Sequence, residues 1–468
     1  MNVVLMIFDS LRKDSCGIYG DGPWGSIQTP HFQRFADESL VMTNAWPESL
    51  PTLPTRRAIY TGQRVYPFHD ADYVLKGDFH GAPGWGPIPE DQPTLSEMLQ
   101  QAGYRTALIS DVYHQFKPSK NYWRGFDQWT FLRGQEQDPF ISGPRLTEGQ
   151  LAHWLPREMW TEANIRFIQT SIMNIHNRRH EEDFFAPQVL RTAAQWLEEN
   201  QDAERFFLTI ESFDPHEPWL VPPHYRKLYL QEDGQEQVKS SYDDCSQPEA
   251  QLLTRTRANY RGSVTQCDRW FGHLLESMRV LGLLDDTIIF FTSDHGHSIG
   301  DRGYMGKRGY PSAPEVYEVP LLVRFPGGEH AGVVSDMFVQ HHDITAAVFE
   351  ALGMAVPGFL DGQPFLSQAL GGGQGARDHV TVGWGSTPTV ITPGWWFNAK
   401  CDGTGALLYD RTRQDPFAVN VAPQHPDVVA RGLELAAADA KGGYPQWLVE
   451  LAQSEADAPG CSDLAAHE

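Results

Sequence analysis

The chain opens with Asn2-Val3-Val4-Leu5-Met6-Ile7-Phe8-Asp9-Ser10-Leu11-Arg12. The apolar run Val3–Phe8 is unbroken and ends on a carboxylate. A run without alternation is the pattern of a strand covered on both faces. It is too short to span a membrane and has no basic segment before it, so a buried strand is expected rather than a signal segment. Thr106–Ser110, Phe206–Phe213, Thr287–Ser293 and Val319–Phe325 have the same character. Helical signals lie between these runs. Thr94-Leu95-Ser96-Glu97 is a capping box opening a short helix that stops at Gly103. Val189–Glu199 and Tyr260–Leu281 carry apolar residues at helical spacing, and His342–Leu352 is closed by Gly353. The alternation predicts an α/β fold: a large mixed, mostly parallel sheet sandwiched by helices.

Gly371-Gly372-Gly373-Gln374-Gly375 separates the last part of the chain. Beyond it, β-like runs at Val380–Trp384, Thr389–Thr392 and Ala406–Tyr409 precede a helical stretch, Asp427–Ala440. Two domains are therefore expected: a large α/β domain over 1–370 and a small C-terminal α+β domain over 376–468. Gln63–Gln92 and Lys117–Asp183 are loop-rich, and the second reads as an insertion rather than core. Ligands of open α/β sheets lie beyond the carboxyl ends of the strands, so both loops are candidate pocket walls. Tryptophans at Trp123–Trp129 and Trp154–Trp160, and more weakly Trp85, suggest a pocket of aromatic or sugar size.

With 41% apolar and 21% charged residues over 468 positions, the composition is that of a globular chain rather than a disordered one. A net charge of −23 argues against nucleic acid or an anionic membrane as partner. It leaves room for a small anionic substrate, because a metal and a few cations can reverse the field in one cleft. Cys16, Cys245, Cys267, Cys401 and Cys461 show no pairing pattern, which fits a reducing, cytoplasmic setting.

Three strand ends carry ionisable residues: Asp9, Asp214-Pro215-His216, and Asp294-His295-Gly296-His297. Asp after a strand is often a helix cap. Several such residues at converging strand ends can instead supply two oxygens and a nitrogen to one divalent cation. Thr52-Leu53-Pro54-Thr55-Arg56 is followed after four residues by Thr61-Gly62. A helix over Arg56–Tyr60 is expected, with the Thr52 hydroxyl near its N-terminus, where the dipole favours an anion. Arg56 is expected to make a bidentate contact with a tetrahedral oxyanion.

These motifs resemble the sulfatase family of the alkaline phosphatase superfamily. Thr52-Leu53-Pro54-Thr55-Arg56 with Thr61-Gly62 resembles the signature Cys/Ser-x-Pro-Ser-Arg, four residues, Thr-Gly. Phe8-Asp9-Ser10-Leu11-Arg12 with Tyr19-Gly20, Thr29-Pro30-His31-Phe32, Asp214-Pro215-His216-Glu217-Pro218, Thr292-Ser293-Asp294-His295-Gly296 and Val319-Pro320-Leu321 follow in family order. Asp361-Gly362 and Leu408-Tyr409-Asp410 with Asp415-Pro416 and Asn420 resemble the C-terminal part. The resemblance implies that Asp9, Asp294, His295 and Thr52 bind one divalent metal. It implies that Arg56, Lys307, His216 and His114 hold the transferred group or protonate the leaving oxygen. A homo-oligomer, dimer or tetramer, is also implied.

Three departures bear on the substrate. Residue 52 is Thr, where the family has a Cys or Ser that is oxidised to formylglycine. An oxidised Thr would be a ketone that hydrates poorly, and a sulfothreonine would lack the hemiacetal route that expels sulfate. A phosphothreonine can be hydrolysed by a second in-line displacement. The family's Asp-Asp pair is Asp9-Ser10 here, which suits Mn²⁺ or Zn²⁺ better than Ca²⁺, though Ca²⁺ remains possible. The family's Gly-Lys-Trp-His element reads Asp111-Val112-Tyr113-His114, so the lysine that would contact sulfate is Val112. With Lys307 in the place of a second ion, hydrolysis of phosphodiesters or phosphonate monoesters by an unmodified Thr52 is expected. A second metal at Asp214, His216 and His297 is a minor alternative. The rival expectations are a sulfuric ester hydrolase working without formylglycine and an inactive protein that keeps the fold.

Overall fold

The computed structural model describes residues 1–69, 83–117, 120–232, 242–244, 250–371 and 377–454. Part of the Gln63–Gln92 loop, most of the glycine cluster at 371–375, and Cys245 and Cys461 lie outside these residues. Cys16, Cys267 and Cys401 are buried free thiols.

The main sheet uses β1 (Asn2–Phe8), β2 (Leu40–Trp46), β3 (Arg105–Ser110), β4 (Gln128–Phe131) and β5 (Phe206–Ser212). A short β6 (Asp243–Asp244) precedes β7 (Thr287–Ser293), β8 (Ser298–Asp301), β9 (Tyr304–Gly306), β10 (Val319–Arg324), β11 (Val334–Ser335) and β12 (Val339–Gln340). The sheet order is β11-β2-β10-β7-β1-β5-β3-β4, with β12 also on β2. The strands from β7 to β4 run parallel, and β10 is antiparallel to both its neighbours. This is the mixed, mostly parallel sheet that the alternating pattern predicts. β6, β9 and β8 form a small separate sheet.

Burial on both faces explains the unbroken apolar runs. Val4, Met6 and Phe8 of β1 enter one core with residues of the helices Phe185–Glu199 and Ala250–Val280. The alternate residues Val3, Leu5 and Ile7 enter the other core with residues of Thr52–Thr61 and Asp343–Ala351. Each strand side chain thus meets a helix, the arrangement that parallel sheets need.

Past the main sheet, β13 (Val380–Val382), β14 (Thr389–Ile391), β15 (Trp395–Asn398) and β16 (Leu407–Asp410) form an antiparallel sheet in chain order. Val390, Phe397 and Leu408 pack with Leu435 and Ala436 of the helix Pro426–Asp439. This small sheet is tied to the main body: Leu50 N donates to Gly383 O at 2.8 Å, and Gly383 N to Glu48 O at 2.9 Å.

The segment 117–183 differs from expectation. Gln128–Phe131 is the edge strand of the main sheet, paired in parallel with β3, so the region is not wholly an insertion. Its four residues are exposed or only half-buried, so they show no apolar run. Trp154 and Trp160 pack around a satellite core of Leu151, Leu155, Phe167, Ile168 and Ile172. Among the described residues, no helix is long and apolar enough to cross a membrane.

Phe291 lies between Phe8, Phe32, Phe35 and Phe271, with ring centroids 5.0–5.9 Å away. Phe291→Ala is expected to cost about 3–5 kcal/mol, read by urea unfolding. A loss under about 1 kcal/mol would contradict this core.

Candidate active site and metal centre

Because β5, β1 and β7 are parallel neighbours with Phe8 opposite both Ser212 and Ser293, their carboxyl ends stand side by side. Asp9 continues the ladder, its N donating to Ser212 O at 2.8 Å, and Asp294 N donates to Phe8 O at 3.3 Å. Ser10, at φ +59°, turns the chain so that its N donates to Asp294 Oδ1 at 2.9 Å. His295 N donates to the same oxygen at 2.7 Å. Ligand atoms of Asp9, Asp294 and His295 lie within 4.8 Å of one another, all buried. The glycine after His295 has a steric cause, since a Cβ on Gly296 would lie 2.0 Å from Glu315 O.

The helix expected at Arg56–Tyr60 begins earlier, at Thr52 itself, and runs to Thr61. Thr52 is thus the first residue of a helix that is buried throughout, and its Oγ1 is 3.4 Å from His295 Nε2. Gly62 ends the helix in a left-handed turn, φ +64°, where a Cβ would crowd Leu360 and Thr345 at 2.9 Å. One turn past Thr52, Arg56 reaches three carboxylates. Nη1 is 2.5 Å from Asp294 Oδ2 and 3.1 Å from Asp9 Oδ2, and Nε is 2.5 Å from Glu211 Oε2. Nη1 also donates to Thr52 O at 3.1 Å. The expected bidentate clasp on an oxyanion is therefore not available, because Nε and Nη1 are spent on protein carboxylates. Nη2 is buried without a hydrogen-bond partner among the described residues and is the one arm left for an anion.

Glu211 escaped the sequence reading. It is fully buried in β5 and accepts from Tyr60 Oη and from Gln115 Nε2, the latter at 2.7 Å. Its one sequence signal is a lone charge inside an apolar strand.

The residues fit a divalent cation. Burial, then the charge of Asp294, push the Asp9 carboxyl well above its ordinary value, against the pull of Arg56 and Lys307. Burial opposes ionisation of Asp294 too, but His295 and Arg56 hold its carboxyl below the usual range. Burial holds the His295 imidazole down at about 3 despite Asp294, leaving it neutral and able to ligate. Asp9 Oδ2 receives no well-directed hydrogen bond, although Arg56 is near. Two crowded carboxylates, a neutral imidazole and a buried oxygen without a donor are the environment a cation relieves.

The other expected residues fall into two pairs. Lys307 Nζ is 2.7 Å from His216 Nε2, and His216 Nδ1 is 2.6 Å from Glu217 O. Burial, then Lys307, hold His216 well below its ordinary value, so it is neutral. His114 does not join the cluster around Asp9. Its Nε2 is 2.7 Å from Glu136 Oε2, and Trp85 meets its ring edge-on at 5.1 Å. Trp85, the weakest tryptophan candidate by sequence, is the one at the site. Trp123 and Trp129 are exposed near the sheet edge. The second metal site does not assemble. Asp214 accepts from Gln135 Nε2 and Ala186 N, and His297 Nε2 is 3.2 Å from Glu217 Oε2. Among the described residues, Asp9, Asp294 and His295 are the one group placed to hold a metal.

A family model described as Sulfatase matches residues 1–354. The chain belongs to the sulfatase family. Sulfatase-family enzymes use a divalent metal ion, and in this chain the Asp9, Asp294 and His295 group is the candidate site for it. The multifunctional alkaline phosphatase superfamily protein PehA of Trinickia caryophylli is 24% identical over 419 residues, 78% of this chain and 77% of that protein. Iduronate 2-sulfatase of Homo sapiens is 27% identical over 366 residues, 70% of this chain and 60% of the relative. The fold is that of phosphonate monoester hydrolase of Agrobacterium radiobacter, with a TM-score of 0.72 at 19% identity, covering 94% of this chain and 96% of that one. The corresponding enzyme of Silicibacter pomeroyi gives 0.71 at 18% identity, covering 95% and 96%.

Two outcomes are expected of stability measurements. Metal-stripped protein should gain about 2.7 kcal/mol with Mn²⁺ or Zn²⁺ at about 100 times Kd. Asp294→Asn should lose most of that gain, and an undiminished gain would place the ion elsewhere. Glu211→Gln, which breaks a buried charge pair, should cost about 3–5 kcal/mol in urea unfolding. A neutral substitution would mean Arg56 does not depend on Glu211.

Proposed function

We propose that this sulfatase-family hydrolase cleaves phosphodiesters or phosphonate monoesters, with the unmodified hydroxyl of Thr52 as nucleophile and a phosphothreonine or phosphonothreonine intermediate. The observation that carries this is the placement of a threonine, not a formylglycine precursor, as first residue of its helix, 3.4 Å from His295 Nε2. The fold likeness to two phosphonate monoester hydrolases supports it.

Thr52 gives up its hydroxyl proton to solvent, its Oγ1 attacks phosphorus as the alkoxide, and the bond to the alcohol oxygen breaks on the opposite side. A divalent ion at Asp9, Asp294 and His295 would lower the pKa of the hydroxyl and screen the developing charge. That donor set favours Mn²⁺ or Zn²⁺ over Ca²⁺. Arg56 Nη2 offers a fixed donor to an equatorial oxygen. Lys307 is held by neutral His216 within electrostatic reach of Asp9 and His295, and supplies a second cation. One metal with Lys and Arg balances a monoanionic ester better than a dianion. The second step is an in-line attack by water on the threonine ester, which needs no hemiacetal collapse.

The test is initial rates on four 4-nitrophenyl esters: a phosphodiester, a phosphonate monoester, a phosphomonoester and a sulfate. Metal-stripped protein would be reloaded with Mn²⁺, Zn²⁺ or Ca²⁺. The diester or the phosphonate should lead, and Thr52→Ala should lose roughly 10³-fold or more in kcat/KM while Thr52→Ser keeps activity. A leading sulfate, or a Thr52→Ala variant near wild type, would overturn the proposal.

A further inference from the structure

Glu136 sits in a loop built to hold it. Its φ is +50°, a conformation rare for a residue with a Cβ. Such strain persists where the surroundings enforce it, and it gathers at functional sites. Here the enforcement is visible. Arg133 makes two 2.6 Å hydrogen bonds to Asp138, which also accepts from Gly134 N at 2.8 Å. Gln135 Nε2 donates to Asp111 and to Asp214, both at 3.1 Å, tying the loop to the ends of β3 and β5. Asn174 Nδ2 donates to Gly134 O and Asp138 O, and Ser171 Oγ to Glu136 O. The result is a buried carboxylate 2.7 Å from His114 Nε2. Burial opposes its ionisation, but His114, with Lys117, holds it well below its ordinary value.

We propose that Glu136 is a positioning residue that keeps His114 an imidazolium, so that the Glu136–His114 pair supplies the proton to the leaving alcohol oxygen. This rests on the ester-hydrolase reading above. The rings of His216 and His114 both flank Phe213, which stacks on His216 at 4.2 Å and lies 6.0 Å from His114. His216 faces Lys307 at one nitrogen and a carbonyl at the other, so it has no proton for the leaving group. His114 faces a carboxylate. As the bond from phosphorus to the leaving oxygen breaks, its electron pair stays on oxygen and takes the proton from His114 Nδ1. The neutral ring keeps its proton on Nε2, which lies 2.7 Å from the Glu136 carboxylate. In the second step Nδ1 accepts a proton from the attacking water. Among the described residues, the charged and titratable groups near His114 are Glu136 from its loop, Tyr113 and Lys117 from its own segment, and Lys307 behind neutral His216. The rings facing it from Trp85 and Phe213 are uncharged.

The experiment has two arms, both on Glu136→Gln and Glu136→Asp. In zinc-loaded protein, the His114 ring is titrated by NMR, which needs no turnover. Glu136→Gln should lower its pKa by at least about one unit, and Glu136→Asp should recover part of that. In kinetics, Glu136→Gln should lose about 10²-fold in kcat/KM on an alkyl ester, at least ten times its loss on the matching 4-nitrophenyl ester. The basic limb of its pH profile should move to lower pH. If Glu136→Gln does not fold, Glu136→Asp carries both readouts with smaller shifts. An unchanged His114 titration, or equal losses on both leaving groups, would overturn the proposal. If sulfate proves to be the substrate, the same pair of leaving groups is compared as sulfates, so failure of the substrate reading is seen separately.

Discussion

The site depends on one guanidinium buried among three carboxylates. Arg56 contacts Asp9, Asp294 and Glu211, and all four side chains are shut from solvent. Buried charges are tolerated only when paired, and here the acids outnumber the base by two. A divalent cation is the counter-charge that this imbalance calls for. The parallel sheet makes the cluster possible, because only adjacent parallel strands end at the same level. The helix Thr52–Thr61 then brings Arg56 into the cluster and sets Thr52 at its edge, so the proposed nucleophile and the counter-charge are placed by the same turn of helix.

Much of this was legible because the apolar strands are continuous. β7 runs over Thr287–Ser293, the segment its composition picks out, and β1 extends the Val3–Phe8 run by one residue. A strand buried on both faces announces itself and leaves its terminal polar residue conspicuous, which is how Asp9 and Asp294 stand out. β2 and β4 were not legible. Leu40–Trp46 contains Thr43 and Asn44 where the strand is half-exposed, and β4 is a short edge strand. Arg56 was found, but its partners were not. A bidentate contact with a substrate oxyanion is a local inference from the motif, while the contact with Glu211 joins residues 155 apart in sequence. The same long range hides Glu136, whose loop is braced by Asp111, Asn174 and Asp214 rather than by its neighbours alone.

The pairing of Lys307 with His216 and of Glu136 with His114 divides the candidate site electrostatically. Burial, then Lys307, hold His216 neutral, and on the proposal above Glu136 favours charge on His114. Two chemically identical side chains a phenyl ring apart are thereby given different protonation states, the usual route by which one site performs acid and base chemistry. The absence of a Cys or Ser at position 52 fits this division. A threonine ester of phosphorus must be cleared by a second displacement with water, which needs a base on the leaving-group side rather than collapse of an aldehyde hydrate.

The most direct test of the account is to quench the metal-loaded protein during turnover of a slow phosphonate monoester and analyse the peptide that carries residue 52 by mass spectrometry. The account predicts an unoxidised threonine bearing a phosphonyl group, gained during turnover and absent from Thr52→Ala. An adduct on another residue, or an oxidised residue 52 in the protein before any substrate is added, would contradict it.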